Sequence, residues 1–150
     1  MSIVSFSHIV KFFTGDQMPS AEESQKLFEE ALLLTLSRAT SADSNINPVE
    51  VATVQKIFAE FAGHDVEESE VRIAAISDLY DEATLEGYLS NVSRKISDGQ
   101  RLQIAKSLAK LVKADDNVSP FEVAFYNSVV DALRVTPAQL MGLVEDPIKV

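Results

Sequence analysis

The side chains with the clearest chemical potential lie in two short acidic stretches. One is Asp43-Ser44-Asn45-Ile46-Asn47-Pro48-Val49-Glu50; the other is Asp115-Asp116-Asn117-Val118-Ser119-Pro120-Phe121-Glu122. Carboxylates, amides and turn carbonyls are the oxygen ligands that hard cations take, so Asp43, Glu50, Asp115, Asp116 and Glu122 are candidate ligands of a divalent ion. A local account competes with this one: Asp and Asn side chains also close turns by accepting from nearby backbone N–H groups. Asp43, Asp115 and Asp116 fall where an incoming helix ends, and the helix dipole there disfavours a carboxylate by about 0.3–1 kcal/mol. A carboxylate at that spot in both stretches needs either the turn or the ion to account for it. The spacing excludes an EF-hand. Counting from Asp43, Asn45 and Asn47 suit positions 3 and 5, but Pro48 and Val54 stand where Gly and Glu are required. The count from Asp115 meets Pro120 and Tyr126 at those two positions.

Part of each stretch has a structural task. Asn47 or Ser119 can accept from an early helix N–H, and Pro48 or Pro120 suits the first helical position. Glu50 or Glu122, three residues after the cap, can reach back to the cap's own N–H. Ile46 or Val118, just before the cap, can staple the chain to the core.

Little else in the sequence suggests chemistry. The only imidazoles are His8 and His64, which have no partner at ligand spacing; His64 follows Gly63 and reads as an exposed turn residue. The absence of cysteine excludes disulfides, thiolate zinc sites and thiol catalysis. There is no Gly-rich phosphate loop, nucleophile elbow or metalloprotease helix, so no enzyme is expected. A formal net charge of −10 repels nucleic-acid backbones and anionic lipid surfaces. No apolar run approaches the roughly 20 residues that span a bilayer. The first residues lack a basic region and a clean cleavage site, so a signal peptide is not expected and the default location is the cytoplasm.

The elements that must position the two stretches are helical. With 150 residues, 46% of them apolar and 24% charged, the chain has the make-up of one globular domain. Val51, Val54, Ile57, Phe58 and Phe61 form an amphipathic stripe, and no alternating strand pattern competes. The punctuation predicts a helix over about 2–14, then one from the Ser20/Glu23 capping box to about Thr40. Others run from Pro48 to about Ala62, stopped by Gly63, and from an Asp65/Glu68 cap to about Tyr80. Further helices are expected from about Glu82 to Ile96, from Asp98 through Leu111, from Ser119-Pro120 to about Arg134, and briefly after Thr136-Pro137. Glu22, Glu23, Glu29 and Glu30 read as a solvated face, as do Glu67, Glu68 and Glu70. Phe6, Ile9, Val10, Phe12 and Phe13 make the first helix apolar, for the core or, more sharply, for a membrane surface or partner; only His8 and Lys11 could add positive charge there.

The two stretches belong to an internal repeat at an offset of 72 residues. Ala42–Ala52 aligns without gaps with Ala114–Ala124, and seven of eleven positions are identical, where chance gives about one. The stripe recurs as Val123, Tyr126, Val129, Val130 and Leu133. Each half is thus a helix, an acidic turn and a second helix, over about 20–80 and 82–146. Two such hairpins could pack about a pseudo-twofold axis.

This pattern resembles the TerB-like family, which includes the tellurite-resistance protein TerB and a domain of DjlA-type co-chaperones. Ala114 to Glu122 is the better copy of its acidic turn. Leu133-Arg134-Val135-Thr136-Pro137-Ala138-Gln139-Leu140 is similar to its closing L-G-L-[ST]-P-x-x-L. The family's Gly after Asp is Ser44 in one copy and Asp116 in the other. The resemblance implies an all-α bundle of seven to eight helices over the whole chain, a role in stress response and no reaction. It also implies a divalent cation (Ca, Mg, Mn or Zn), with Asp43, Glu50, Asp115 and Glu122 as the matching positions. Two functions follow: a metal-responsive module that binds a protein partner, or an adaptor without metal whose acidic turns only cap helices. The oligomeric state stays open.

Overall fold

The computed structural model describes residues 20–40, 48–75, 84–114 and 118–142. Among them the chain is all helix: α1 (Ala21–Thr40), α2 (Pro48–Ala62), α3 (Glu68–Ala75), α4 (Leu85–Val92), α5 (Asp98–Lys113), α6 (Pro120–Leu133) and α7 (Pro137–Leu140). The expected first helix, Asp43, Asp115, Asp116 and residues 76–83 lie outside the described residues.

Most helices start where a side chain can satisfy their first N–H groups. Ser20 and Glu23 form the expected capping box on α1, with Glu23 N–H donating to Ser20 Oγ at 3.2 Å and Ser20 N–H to Glu23 Oε1 at 3.3 Å. Ser119 with Glu122 and Thr136 with Gln139 do the same for α6 and α7, each followed by Pro in the first turn. Two helices are bounded differently from expectation, and a third keeps its start with another capping residue. The Glu67 carbonyl accepts the first bond of α3, from Val71 N–H, so Asp65 is not its cap. Thr84 caps α4 by accepting from Gly87 N–H at 3.0 Å, which moves the start from Glu82 to Leu85, and the helix stops at Val92 rather than Ile96. The cap of α5 is Ser97, boxed with Gln100, one residue before Asp98.

The ends are equally local. Gly63 closes α2 with a left-handed φ of 85°, a conformation glycine adopts without a Cβ penalty. Arg134 closes α6 with φ 59° and no such freedom. Arg134 N–H donates to Asp131 O and Val135 N–H to Val130 O, a Schellman pair, and Val135 is buried behind it.

α1 is the axis of the bundle. From Leu27 to Ser37 every residue but Glu29 is buried, so α1 is enclosed on all sides, packing against α2, α3, α4 and α5. This corrects the reading of Glu29 and Glu30 as a wet face: Glu30 is 1% exposed and Glu29 is largely covered. An i, i+1 acidic pair points to solvent only if its helix has a solvent side, and α1 has little.

The repeated helices sit differently. α2 packs on α1, α3 and α5, and its Val51, Val54, Ile57 and Phe58 are buried. α6 packs on α4 and α5 and only lightly on α1. Val129 and Leu133 reach the core, Tyr126 and Val130 are partly buried, and Val123 is 46% exposed, contrary to the expected stripe. Val118 is also 46% exposed, so it does not staple the turn to the core.

Candidate functional site

Glu122 is the best-placed candidate ligand among the described residues. It sits in the first turn of α6 because Ser119-Pro120 starts the helix there, and it is partly buried. Its Oε1 accepts from Ser119 N–H at 3.1 Å, while its own N–H donates to Ser119 Oγ at 3.1 Å. The carboxylate therefore has a structural task, with the second oxygen, Oε2, directed to no bond in that box. Glu50 holds the same position in the first turn of α2. The helices α2 and α6 both pack on α5, with no more than marginal contact between them, so the fold does not bring Glu50 and Glu122 together through a shared interface. Among the described residues no group of three His, Asp or Glu side chains could hold a metal ion. The remaining candidates, Asp43, Asp115 and Asp116, lie outside that set.

A charged node that the sequence does not announce joins α1 to the α2–α3 turn. His64 Nε2 bonds to Glu29 Oε1, and His64 Nδ1 to the Asp65 carbonyl at 3.1 Å. With both ring nitrogens facing acceptors, the imidazolium is the form that satisfies them. The hydrogen bond to Glu29 raises the His64 pKa above its ordinary value most; burial opposes it, and the Asp65 carbonyl and the two acidic charges add to the rise. The ring also meets buried Phe58 edge-on, with centroids 5.6 Å apart. His64 is the exposed turn residue expected after Gly63, its side chain 42% exposed, and it carries in addition a long-range contact. Its partner is 35 residues away in sequence, which no spacing rule could supply.

Two further groups of contacts, around Gln100 and around Arg101, fix the geometry of α5. The Ser24 hydroxyl lies within reach of two acceptors for its one proton, the Lys95 carbonyl and Gln100 Oε1, and Gln100 Nε2 donates to Gln25 Oε1, which ties the start of α1 to the start of α5. Arg101, partly buried on α5, pairs with Asp98 and donates through Nη1 to the Leu133 carbonyl at 3.2 Å, satisfying the end of α6. Burial and the nearby charge of Arg134 both lower its pKa.

No helix among the described residues is long and apolar enough to cross a membrane. Compared with known proteins, residues 29–143 match the model of the family described as tellurite resistance protein TerB. The match takes in both acidic stretches and the described helices α2 to α7, with most of α1. Searches of curated proteins and of solved structures find no match.

Proposed function

The chain belongs to the TerB family, and from that premise we propose that it is a non-enzymatic accessory protein of the tellurite-resistance type, acting in the stress response of a bacterial cytoplasm. In this reading it holds a divalent cation at the acidic turns, through Asp43 and Glu50 in one half and Asp115, Asp116 and Glu122 in the other. The ordered turns then present a surface to a protein partner. The observation that carries the proposal is the family match over 29–143, which spans both turns. Supporting it, Glu122 is fixed by Ser119 with one carboxylate oxygen outside the capping box. A carboxylate already held in place loses little side-chain freedom on meeting an ion, which favours binding.

Calorimetric titration with Ca²⁺, Mg²⁺, Mn²⁺ and Zn²⁺ tests the metal. Saturable heat in the wild type that Asp115→Ala diminishes is the expected result. No heat at millimolar metal in either protein removes the cation.

A second reading is favoured by the same capping box, which gives Glu122 a sufficient role without an ion. The protein is then an adaptor that binds its partner through helical surface alone. It predicts that Glu122→Ala costs about 0.5–2 kcal/mol of stability, as for a lost cap, and changes no ion-dependent property.

A further inference from the structure

One face of α5 has no part in that reading. Lys106, Lys110 and Lys113 recur at i, i+4 and i+7, so they leave the helix on one side. With Ala109 of the same helix, Tyr126 of α6 and Leu140 of α7, they line a cleft of about 630 Å³. The cleft is an open groove, of the kind an extended segment can lie along. The small side chain of Ala109, the Tyr126 ring and Leu140 supply apolar surface; the three ammonium groups supply charge. Lys110 is engaged by Glu60 of α2, its Nζ 2.6 Å from both carboxylate oxygens. Lys106 and Lys113 make no ion pair among the described residues. Burial raises the Tyr126 phenol above its ordinary pKa, so at neutral pH it keeps its proton and can donate to an anion.

In a chain of net charge −10, Lys106 and Lys113 are two cations on the rim of one cleft with no ion pair among the described residues, and an approaching carboxylate finds its attractive partners there. We propose that this cleft binds an acidic, partly apolar peptide segment of a partner protein: its carboxylates meet Lys106 and Lys113, and an apolar side chain between them covers Ala109 and Leu140. A bare phosphate would leave the apolar surface in water. A purely apolar segment would desolvate the ammonium groups without compensation. A nucleic-acid backbone carries charge at every residue and offers no aliphatic side chain to cover Ala109 and Leu140. The proposal rests on the partner-binding reading and names the chemistry of that partner.

Fluorescence anisotropy of a labelled peptide of about ten residues, alternating Glu and Leu, tests it on the full chain at low and moderate salt. Controls are a Glu/Ser peptide, a Lys/Leu peptide, inorganic phosphate as competitor, and the double variant Lys106→Glu/Lys113→Glu, whose fold is checked by circular dichroism. The expected result is saturable, salt-sensitive binding of the Glu/Leu peptide that weakens at least about tenfold in the double variant. The Glu/Ser peptide should bind more weakly and the Lys/Leu peptide not at all. Equal affinity for wild type and double variant overturns the cleft while leaving a partner surface elsewhere. Equal affinity for the Glu/Ser and Glu/Leu peptides, with displacement by millimolar phosphate, reduces the cleft to a simple anion site and overturns the proposal. No saturable binding to the wild type overturns it as well. The broader partner reading is then judged separately, by whether cross-links from the exposed start of α6 reach a partner.

Discussion

The helices α2 and α6 carry the same start, Pro followed two residues later by Glu, and nearly the same apolar spacing, yet the fold uses them differently. α2 lies against both α1 and α5, and its stripe from Val51 to Phe58 is buried. α6 lies against α4 and α5 and barely reaches α1, so Val118, Phe121 and Val123 stay 46%, 54% and 46% exposed. A capped amphipathic stretch specifies that a helix forms and where it begins. How much of its apolar face is covered depends on how many neighbours reach it. The exposed copy is left with apolar surface beside a fixed carboxylate, while the buried copy supplies core.

The largest break of this comparison is expected from paired truncations. Phe58→Ala, at a fully buried site, should cost about 3–5 kcal/mol in urea unfolding. Phe121→Ala, at an exposed one, should fall within about 0.5 kcal/mol of wild type. If the second variant is as damaging as the first, the start of α6 is core and the contrast is wrong. The repeat-matched pair Val51→Ala and Val123→Ala should follow the same order with a smaller gap.

Next in size is the cap. Ser119→Ala removes the acceptor for Glu122 N–H and should lower stability by about 1 kcal/mol. No loss on chemical unfolding would mean that α6 does not depend on its box.

The ends of the two helices sharpen the comparison further. Gly63 and Arg134 both hold left-handed backbone, but only the arginine carries the steric cost and faces the charge of Arg101. Arg134→Gly should therefore raise stability by about 0.5–1 kcal/mol, read as a higher urea midpoint. A lower midpoint would show that the Arg134 side chain contributes more than its backbone costs.

The smallest effect should come from His64, just past the end of α2. Its folded pKa is raised, so its contribution is fully present below the ordinary pKa of about 6.5 and is lost as pH rises through the folded value. The stability of wild type over His64→Gln should be greatest in acid and fade in base, tracked by urea midpoints between about pH 5 and 9. A pH-independent difference would mean that the Glu29 contact carries no charge.

Much of the fold was legible before any coordinates, and for a common reason. The boxes at Ser20, Ser119 and Thr136, and the Gly63 stop, each involve groups within three or four residues of one another. The family likeness was legible in the same way, from the Ala114–Glu122 and Leu133–Leu140 segments, and the family model matches residues 29–143 around them. Of the candidate site, Glu50 and Glu122 stand at the helix starts where their spacing put them. The Ser97/Gln100 box was missed because Asp98 beside it is an equally good cap by type. The row of lysines on α5 was open to a charge count by helical face; the pairing of His64 with Glu29 was not.

What the sequence determined by itself is that these segments are helices and where α1, α2, α6 and α7 begin, since a cap is made by hydrogen bonds a few residues long. Only the tertiary structure decided which faces those helices hide. It enclosed α1 so that Glu30 is buried, left the second copy of a repeated helix half in water, and brought α5, α6 and α7 together around a basic cleft. Burial and long-range ion pairing are properties of neighbours distant in the chain, and no local pattern specifies them.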